Sequence, residues 1–200
     1  FVRRYGVDLS ECQRTDAHAF STFNDFFIRE LRPDVRHVDG GPNAVSSPVD
    51  GAVSARGDIE ANRLFQAKGH DYSLDALLAD RGRTVEALQG GSFVTLYLSP
   101  RDYHRVHAPL DAELSSMTFV PGSLFSVSQH AVENVTGLFA RNERVIFEFE
   151  AEHGPFVLIM VGAMCVSSVE TIWDGPIRGN DGSPTTHRYD GTREIRRGQH

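Results

Sequence analysis

Two histidines stand three residues apart in the run Tyr103-His104-Arg105-Val106-His107. Two imidazoles at this spacing can converge on a metal ion when a helix or tight turn presents them. Histidine also transfers protons near neutral pH, which favours acid–base catalysis. A third interpretation is structural, with one ring packed and the other exposed. The spacing leaves all three open, but neither a zincin-spaced carboxylate nor a cysteine pair supplies a third ligand for a metal.

A candidate partner for these histidines is Asp50, in Ser47-Pro48-Val49-Asp50-Gly51. Pro and Asp-Gly are typical of a β-turn. The functional alternative is a carboxylate that orients a histidine, as in a nucleophilic triad. No serine lies in a Gly-x-Ser-x-Gly motif, so a serine hydrolase is poorly supported. Asn142-Glu143-Arg144 is interpreted most simply as a turn with a surface ion pair.

The elements that position these residues are short. Phe20, Phe23, Phe27 and Leu31 recur at helical spacing, with Ser21 and Thr22 available as caps. A second short helix is expected near residues 73–80, with Ser73 as its cap. Alternating or continuous apolar runs predict strands at residues 92–98, 145–150, 156–163 and 166–172. Turn signals between them favour antiparallel pairing, so we predict an α+β fold with a mainly antiparallel sheet core.

The domain organisation expected from these patterns is one catalytic domain over residues 1–200. Residues 1–36 are expected to be mainly helical and residues 45–173 to form the mainly β core. Residues 175–200 lose apolar density, which predicts a loop or the start of a hairpin. The chain opens on Phe1 rather than Met, so we expect the natural chain to begin further upstream.

Composition excludes several classes of protein. The 200 residues carry a formal net charge of -7, which argues against nucleic-acid binding. A local basic cluster of Arg29, Arg32 and Arg36 leaves an anionic lipid possible as substrate. Two cysteines are too few for a disulfide scaffold and favour a reducing compartment. The longest apolar run, residues 156–163, is about a third of a membrane-spanning helix.

Several of these segments, taken in order, resemble the phosphatidylserine decarboxylases, especially the bacterial membrane-associated type. The Tyr-His-Arg-Val-His run is the most specific of them. The matching stretches include Phe23-Asn24-Asp25-Phe26-Phe27-Ile28-Arg29, Ser47-Pro48-Val49-Asp50-Gly51, Tyr103-His104-Arg105-Val106-His107, Pro121-Gly122 and Leu138-Phe139-Ala140-Arg141-Asn142-Glu143-Arg144.

The resemblance implies roles for named residues. Such enzymes are made as a proenzyme that cuts itself at a Gly-Ser bond in a Gly-Ser-Thr motif. The cut gives a β chain and a short α chain that begins with a pyruvoyl group derived from the serine. Asp50 and His107 match the other two members of the self-cleavage triad. His104 matches the histidine of the decarboxylation step, and Ser126 matches a serine near the substrate head group.

The resemblance also implies partners. Gly-Ser-Thr does not occur in this sequence, and residues 195–200 resemble the start of the strand that leads to it. We therefore expect the β-chain part of the enzyme, inactive without the α chain that carries the pyruvoyl cofactor. Phosphatidylserine is the expected substrate, and no metal or nucleic acid is expected. A homodimer, peripheral to the inner membrane on its cytoplasmic side, is also expected. The alternatives are a non-catalytic aminophospholipid-binding relative and a His-ligated metal hydrolase.

Overall fold

A computed structural model describes residues 1–38, 40–41, 44–67, 70–79, 82–179, 182–190 and 193–199. The helices are α1 Val2–Tyr5, a 3-10 helix Ala17–Ala19, α2 Phe23–Phe27, α3 Leu74–Leu78, α4 Gly82–Leu88, α5 Gln129–Asn134 and α6 Leu138–Arg141. The strands are β1 Ala52–Asp58, β2 Arg63–Ala67, β3 His70–Ser73, β4 Ser92–Tyr97, β5 Ala112–Val120, β6 Arg144–Ala151, β7 Gly154–Val161, β8 Glu170–Thr171, β9 Gly175–Pro176, β10 Thr185–Arg188 and β11 Glu194–Ile195.

The chain divides into two compact units. The first unit comprises Phe1–Ser54, Leu96–Asp111 and Ile195–His200. The second unit comprises Ala55–Thr95 and Ala112–Glu194. The expectation of a single catalytic domain over residues 1–200 stays a prediction.

An antiparallel sheet with the strand order β10-β5-β6-β7 organises the second unit. Ile146 at its centre is fully buried and pairs with Thr118 on one side and Ile159 on the other. The core joins this sheet to α3 and α4 through Leu77, Leu78 and Val85. In the first unit a smaller core contains Val7, Leu9, Cys12 and Phe26. Short helices packed with antiparallel strands confirm the α+β class.

Local capping signals explain where two helices begin. The Thr22 hydroxyl accepts a hydrogen bond from the Asp25 N–H at 3.0 Å, and the Ser73 hydroxyl accepts one from the Ala76 N–H at 3.1 Å. Such caps satisfy backbone donors that have no partner within the helix. The helix expected near residues 73–80 is thereby confirmed. α2 ends at Phe27, and Leu31 pairs instead with Cys12 in an isolated β-bridge.

Three of the four predicted strands are confirmed as β4, β6 and β7, whereas the strand predicted at residues 166–172 is largely wrong. Only Glu170–Thr171 is extended there, as β8. Cys165 and Ser168 have positive φ angles of 67° and 66°, a left-handed conformation that interrupts a strand. Val166 instead closes a tight turn with Ala163 through two backbone hydrogen bonds.

Residues 185–188 form a strand that the sequence pattern does not indicate. β10 pairs antiparallel with β5, from Thr185 opposite Phe119 to Arg188 opposite Ser116. An open strand edge offers unpaired N–H and C=O groups to any extended segment that reaches it. The pairing therefore depends on β5 rather than on apolar alternation within β10. Among the residues described, no helix has both the length and the apolar character needed to cross a membrane.

Candidate active site

A closed turn leads from β4 into the histidine run. The Asp102 N–H donates to the Ser99 carbonyl at 2.9 Å, and the Asp102 carboxylate accepts from the Ser99 N–H at 2.6 Å. Pro100 lies between them, where its fixed φ suits the second position of a turn. The turn is thus locked from backbone and side chain immediately before Tyr103 and His104.

His104 is held in one tautomer. Its Nδ1 lies 2.8 Å from the Asp102 carbonyl oxygen. Because a carbonyl only accepts, Nδ1 carries the proton and Nε2 has the lone pair. The Phe27 ring packs on the imidazole, with ring centroids 3.9 Å apart. His104 therefore has a fixed ring with one nitrogen ready to accept a proton.

The surroundings of His104 favour its neutral form. Burial lowers the pKa of His104 from its usual 6.5, and the nearby Arg29 charge lowers it further. The hydrogen bond to the Asp102 carbonyl and the Asp102 charge oppose these effects. The lowering prevails, so Nε2 holds a lone pair at neutral pH.

His107 is held between two different groups. Its Nδ1 lies 2.8 Å from the Gly198 carbonyl oxygen, and its Nε2 lies 3.1 Å from the Tyr103 hydroxyl oxygen. The carbonyl requires a proton on Nδ1, so Nε2 accepts a hydrogen bond from the tyrosine hydroxyl. Burial raises the pKa of Tyr103, which keeps that hydroxyl protonated.

Two backbone segments converge on His107. Its N–H donates to the Pro48 carbonyl at 2.8 Å, which ties it to the Asp50 segment. Ala108 exchanges two backbone hydrogen bonds with residues 198–199: its N–H donates to the Gln199 carbonyl at 2.7 Å, and its carbonyl accepts from the Gly198 N–H at 2.8 Å. The segment that ends this sequence therefore runs directly alongside His107.

The Asp50 carboxylate is bound by Arg36. Arg36 Nε lies 3.0 and 2.9 Å from the two carboxylate oxygens, and Nη2 lies 2.5 Å from one of them. Nη2 also donates to Glu11 at 2.8 Å. The two carboxylates raise the pKa of Arg36 further, Asp50 contributing most. Asp50 thus belongs to an ion-pair network on the first unit.

The glycine after Asp50 has a steric cause beyond turn propensity. A Cβ on Gly51 would lie 2.8 Å from the Tyr97 carbonyl oxygen, closer than side chains tolerate. The Asp-Gly pair therefore lets the start of β1 approach the end of β4.

Asp50, His104 and His107 all lie in the first unit, whereas Ser126 lies in the second. The hydrogen bonds described above join Asp50 to Arg36, and His107 to Tyr103 and Gly198. The roles that the resemblance implies for Asp50, His104, His107 and Ser126 stay predictions.

Ser126 sits on a segment that Asn142 holds in place. The Asn142 side chain is fully buried, accepts from the Phe125 N–H at 3.0 Å and donates to the Phe125 carbonyl at 2.9 Å. Ser126 Oγ accepts from the Ser128 N–H at 3.2 Å, and Ser128 caps α5. Ser126 is half-buried beside this turn.

The interpretation of Asn142-Glu143-Arg144 as a turn with a surface ion pair is wrong, because Arg144 is buried. It is 3% exposed and donates to four backbone carbonyls at 2.7–3.0 Å. Burial lowers its pKa to about 10. The Asn-Glu-Arg segment is therefore an internal brace for the ends of α3 and α6.

The three arginines of the basic cluster, which left an anionic lipid possible as substrate, contact groups of the protein itself. Arg29 is buried, and Arg36 is bound by Asp50 and Glu11. Arg32 donates to the Ser10 carbonyl and lies 3.5 Å from Asp34. The sequence indicates these arginines but not the carbonyls and carboxylates that they bind. It also gives no sign of the hydrogen bond between Tyr103 and His107. In the described part of the chain, no three His, Cys, Asp or Glu side chains are grouped to hold a metal ion.

This α+β protein fixes two histidines three residues apart, each with its lone pair on Nε2, and such side chains are suited to proton-transfer catalysis. Comparison with known proteins agrees with the sequence motifs. A family model described as phosphatidylserine decarboxylase matches residues 23–200. The chain belongs to the phosphatidylserine decarboxylase family.

Curated relatives share about half of their residues with this chain. The phosphatidylserine decarboxylase proenzyme of Shewanella pealeana is 50% identical over 177 residues, which cover 88% of this chain and 62% of the relative. That of Klebsiella pneumoniae is 52% identical, with coverage of 88% and 55%. That of Bordetella petrii is 52% identical over 190 residues, with coverage of 95% and 66%. The chain therefore spans 55% to 66% of the length of these relatives.

Proposed function

We propose that this chain supplies the β-chain part of a pyruvoyl-dependent phosphatidylserine decarboxylase that first cuts itself as a proenzyme. The overall reaction removes the serine carboxylate as CO2, adds a proton at the same carbon and leaves phosphatidylethanolamine. The observation that carries the proposal is the Gly198 carbonyl bound to His107 at 2.8 Å. This contact supports the proposal, because Gly198 belongs to the segment that we propose leads to the cleavage site and His107 is the residue that we propose activates that site.

His107 is proposed as the general base of self-cleavage. The serine hydroxyl of the precursor would give its proton to Nε2 while its oxygen attacks the carbonyl carbon of the preceding glycine. Nε2 would then return that proton to the serine nitrogen as the Gly–Ser amide bond breaks. Nδ1 stays protonated through its bond to Gly198, so the ring accepts the proton on the correct nitrogen. Asp50 is proposed to stabilise the imidazolium that this transfer creates, which is the usual part of the carboxylate in such a triad.

His104 is proposed as the proton-transfer group of decarboxylation. A pyruvoyl carbonyl supplies the electron sink that loss of CO2 from an amino acid requires. His107 and Tyr103 would flank this group, since it would form from the serine that His107 activates.

His104 suits this proton transfer, because among the described residues none forms a hydrogen bond with its Nε2. The substrate ammonium must lose a proton before it reacts, and the neutral Nε2 suits its acceptance. The same nitrogen can then return a proton to the carbon that released CO2.

The partners are proposed on the same basis. The relatives are named proenzymes, which supports a second, processed chain carrying the pyruvoyl group. The phospholipid head group is assigned to the segment of Ser126. The enzyme is proposed to be a homodimer that works at the cytoplasmic face of the inner membrane.

The test uses variants of the full-length precursor. His107→Ala and Asp50→Asn should leave the precursor uncut, with His107→Ala slowing the cut by about 100- to 10,000-fold, the usual contribution of a general base. His104→Ala should be cut normally but release little CO2 from phosphatidylserine. His18→Ala is the control, because His18 is exposed on the 3-10 helix. Cutting by gel and a blocked new N-terminus by mass spectrometry are the measurements, and normal cutting of His107→Ala refutes its role.

A further inference from the structure

The loop after α2 and the histidine run hold each other reciprocally. Arg29 Nη2 donates to the carbonyls of Arg101 and Asp102, at 2.8 and 3.1 Å. In the opposite direction, Arg105 Nε donates to the Ile28 carbonyl at 2.9 Å, and its Nη2 lies 3.0 Å from Glu30. Hydrogen bonds therefore join two segments about seventy residues apart, through residues that precede and follow His104 in the sequence.

The Asp102 carbonyl is the shared point of this arrangement. It accepts from Arg29 Nη2 and also from His104 Nδ1. A carbonyl oxygen has two lone pairs, so it can take both donors at once. Arg29 therefore fixes the acceptor that sets the tautomer of His104, while Phe27 fixes the plane of the ring from α2.

If Arg29 only linked two loops, the free-energy cost of burying its guanidinium would be high for that role. It is 3% exposed, and its Nε and Nη1 are buried with no hydrogen-bond partner among the described residues. The Phe26 ring, 5.2 Å from the guanidinium carbon, is an additional favourable contact. Burying a cation with donors unsatisfied costs free energy that an apolar side chain would avoid. Retention of the charge points to an effect on its neighbour.

We propose that Arg29 and Phe27 are positioning residues that hold His104 in its Nδ1-protonated tautomer and aim Nε2 for proton transfer. The inference rests on the function proposed for His104. Neither residue is assigned contact with substrate. Their action runs through the Asp102 carbonyl and through the face of the imidazole.

The charge of Arg29 gives the proposal a second readout. The charged groups that act on His104 are Arg29 and Asp102, with opposite signs. Removing the arginine charge should raise the pKa of His104, so the acid limb of kcat should move to higher pH. A role confined to folding would not move that limb.

The experiment compares Arg29→Met and Arg29→Lys in the full-length enzyme. Both should be cut normally. Arg29→Met should lower kcat about 10- to 100-fold, with little change in KM, because the reacting nitrogen is misplaced. Its acid limb should move up in pH. Arg29→Lys keeps the charge but loses the planar fork, so kcat should fall while the limb stays in place.

Arg14→Met is the matched control. Arg14 also anchors α2, through a bond to Asp25 at 2.7 Å, but it is exposed and bonds to no residue of the histidine run. It should leave kcat and the limb unchanged. The proposal is overturned if Arg14→Met and Arg29→Met lower kcat equally, or if the limb of Arg29→Met does not move.

A nuclear magnetic resonance titration separates this inference from the proposed function. The ring nitrogens of His104, assigned by comparison with His104→Gln, should show a proton on Nδ1 and a pKa below the ordinary value. Arg29→Met should raise that pKa, and an unchanged titration refutes the inference. If Arg29→Met does not fold, Arg29→Lys and Phe27→Leu should increase the share of the other tautomer, and a share equal to the wild type refutes it. Absence of CO2 release by the wild type would refute the proposed function alone.

Discussion

Tyr103→Phe removes only the hydroxyl that occupies His107 Nε2. The tyrosine ring lies 5.6 Å from the imidazole centroid, and phenylalanine keeps that packing. In the structure the lone pair of Nε2 is engaged by the Tyr103 hydroxyl at 3.1 Å. If Nε2 is the base of self-cleavage, the serine hydroxyl has to displace this donor before it can be deprotonated.

The size of the effect follows from that one bond. A hydrogen bond between neutral groups contributes about 0.5–1.5 kcal/mol net, which corresponds to a factor of about 2 to 13 in rate. Because the variant begins without the Tyr103 donor at Nε2, Tyr103→Phe should speed self-cleavage by that factor. The tautomer should be kept, since Gly198 still accepts from Nδ1.

The assay follows the uncut fraction of newly made precursor by gel electrophoresis over time. Tyr72→Phe is the control, because Tyr72 and Tyr103 are both 8% exposed and Tyr72 belongs to the second unit. It should leave the rate unchanged. Slower cutting in Tyr103→Phe would show that the hydroxyl assists the reaction, for example by stabilising the oxyanion, and would refute the reasoning.

Two further predictions concern stability. Arg144→Met leaves four carbonyls without their donor and should lower the free energy of unfolding by about 4 kcal/mol, at about 1 kcal/mol per bond, measured by urea denaturation; a loss below about 1 kcal/mol contradicts the brace. Because the pKa of His104 is lowered in the folded state, the unfolded chain binds the extra proton as pH falls through about 6.5, so stability falls there. His104→Gln should therefore lose less stability than the wild type between about pH 7 and pH 5 in thermal melts, and an equal loss contradicts the assigned burial effect.

Local signals predicted the parts of the fold that local interactions fix. Ser73 caps α3 as its sequence indicates, and three predicted strands form where apolar residues alternate or run together. β10 could not be predicted, because its pairing partner lies about seventy residues earlier on an open strand edge. The strand predicted at residues 166–172 fails for the opposite reason, since the left-handed Ser168 breaks a run with strong β propensity, and the left-handed Cys165 lies just before it.

The site shows the same division. The sequence identifies His104 and His107 as candidates, but their different surroundings depend on distant chain segments. His107 meets a carbonyl 91 residues away, and the arginine that shares an acceptor with His104 lies more than seventy residues earlier. Arg29, Arg32 and Arg36 look alike in the sequence. Only the fold determines which guanidinium is buried, because burial requires carbonyls that another segment provides.

The ion pair of Asp50 is compatible with its proposed role. A carboxylate has about four acceptor sites, so the bonds from Arg36 do not exhaust its capacity. Arg36 is shared between Asp50 and Glu11, and one positive charge beside two negative charges leaves a net negative charge. Burial is the main cause of the raised pKa of Tyr103; among the smaller charge effects, Arg105 and Arg36 lower that pKa, whereas Asp50 and Glu30 raise it. In the proposed mechanism, Arg36 orients the Asp50 carboxylate, and the net negative charge of this group would stabilise an imidazolium formed at His107.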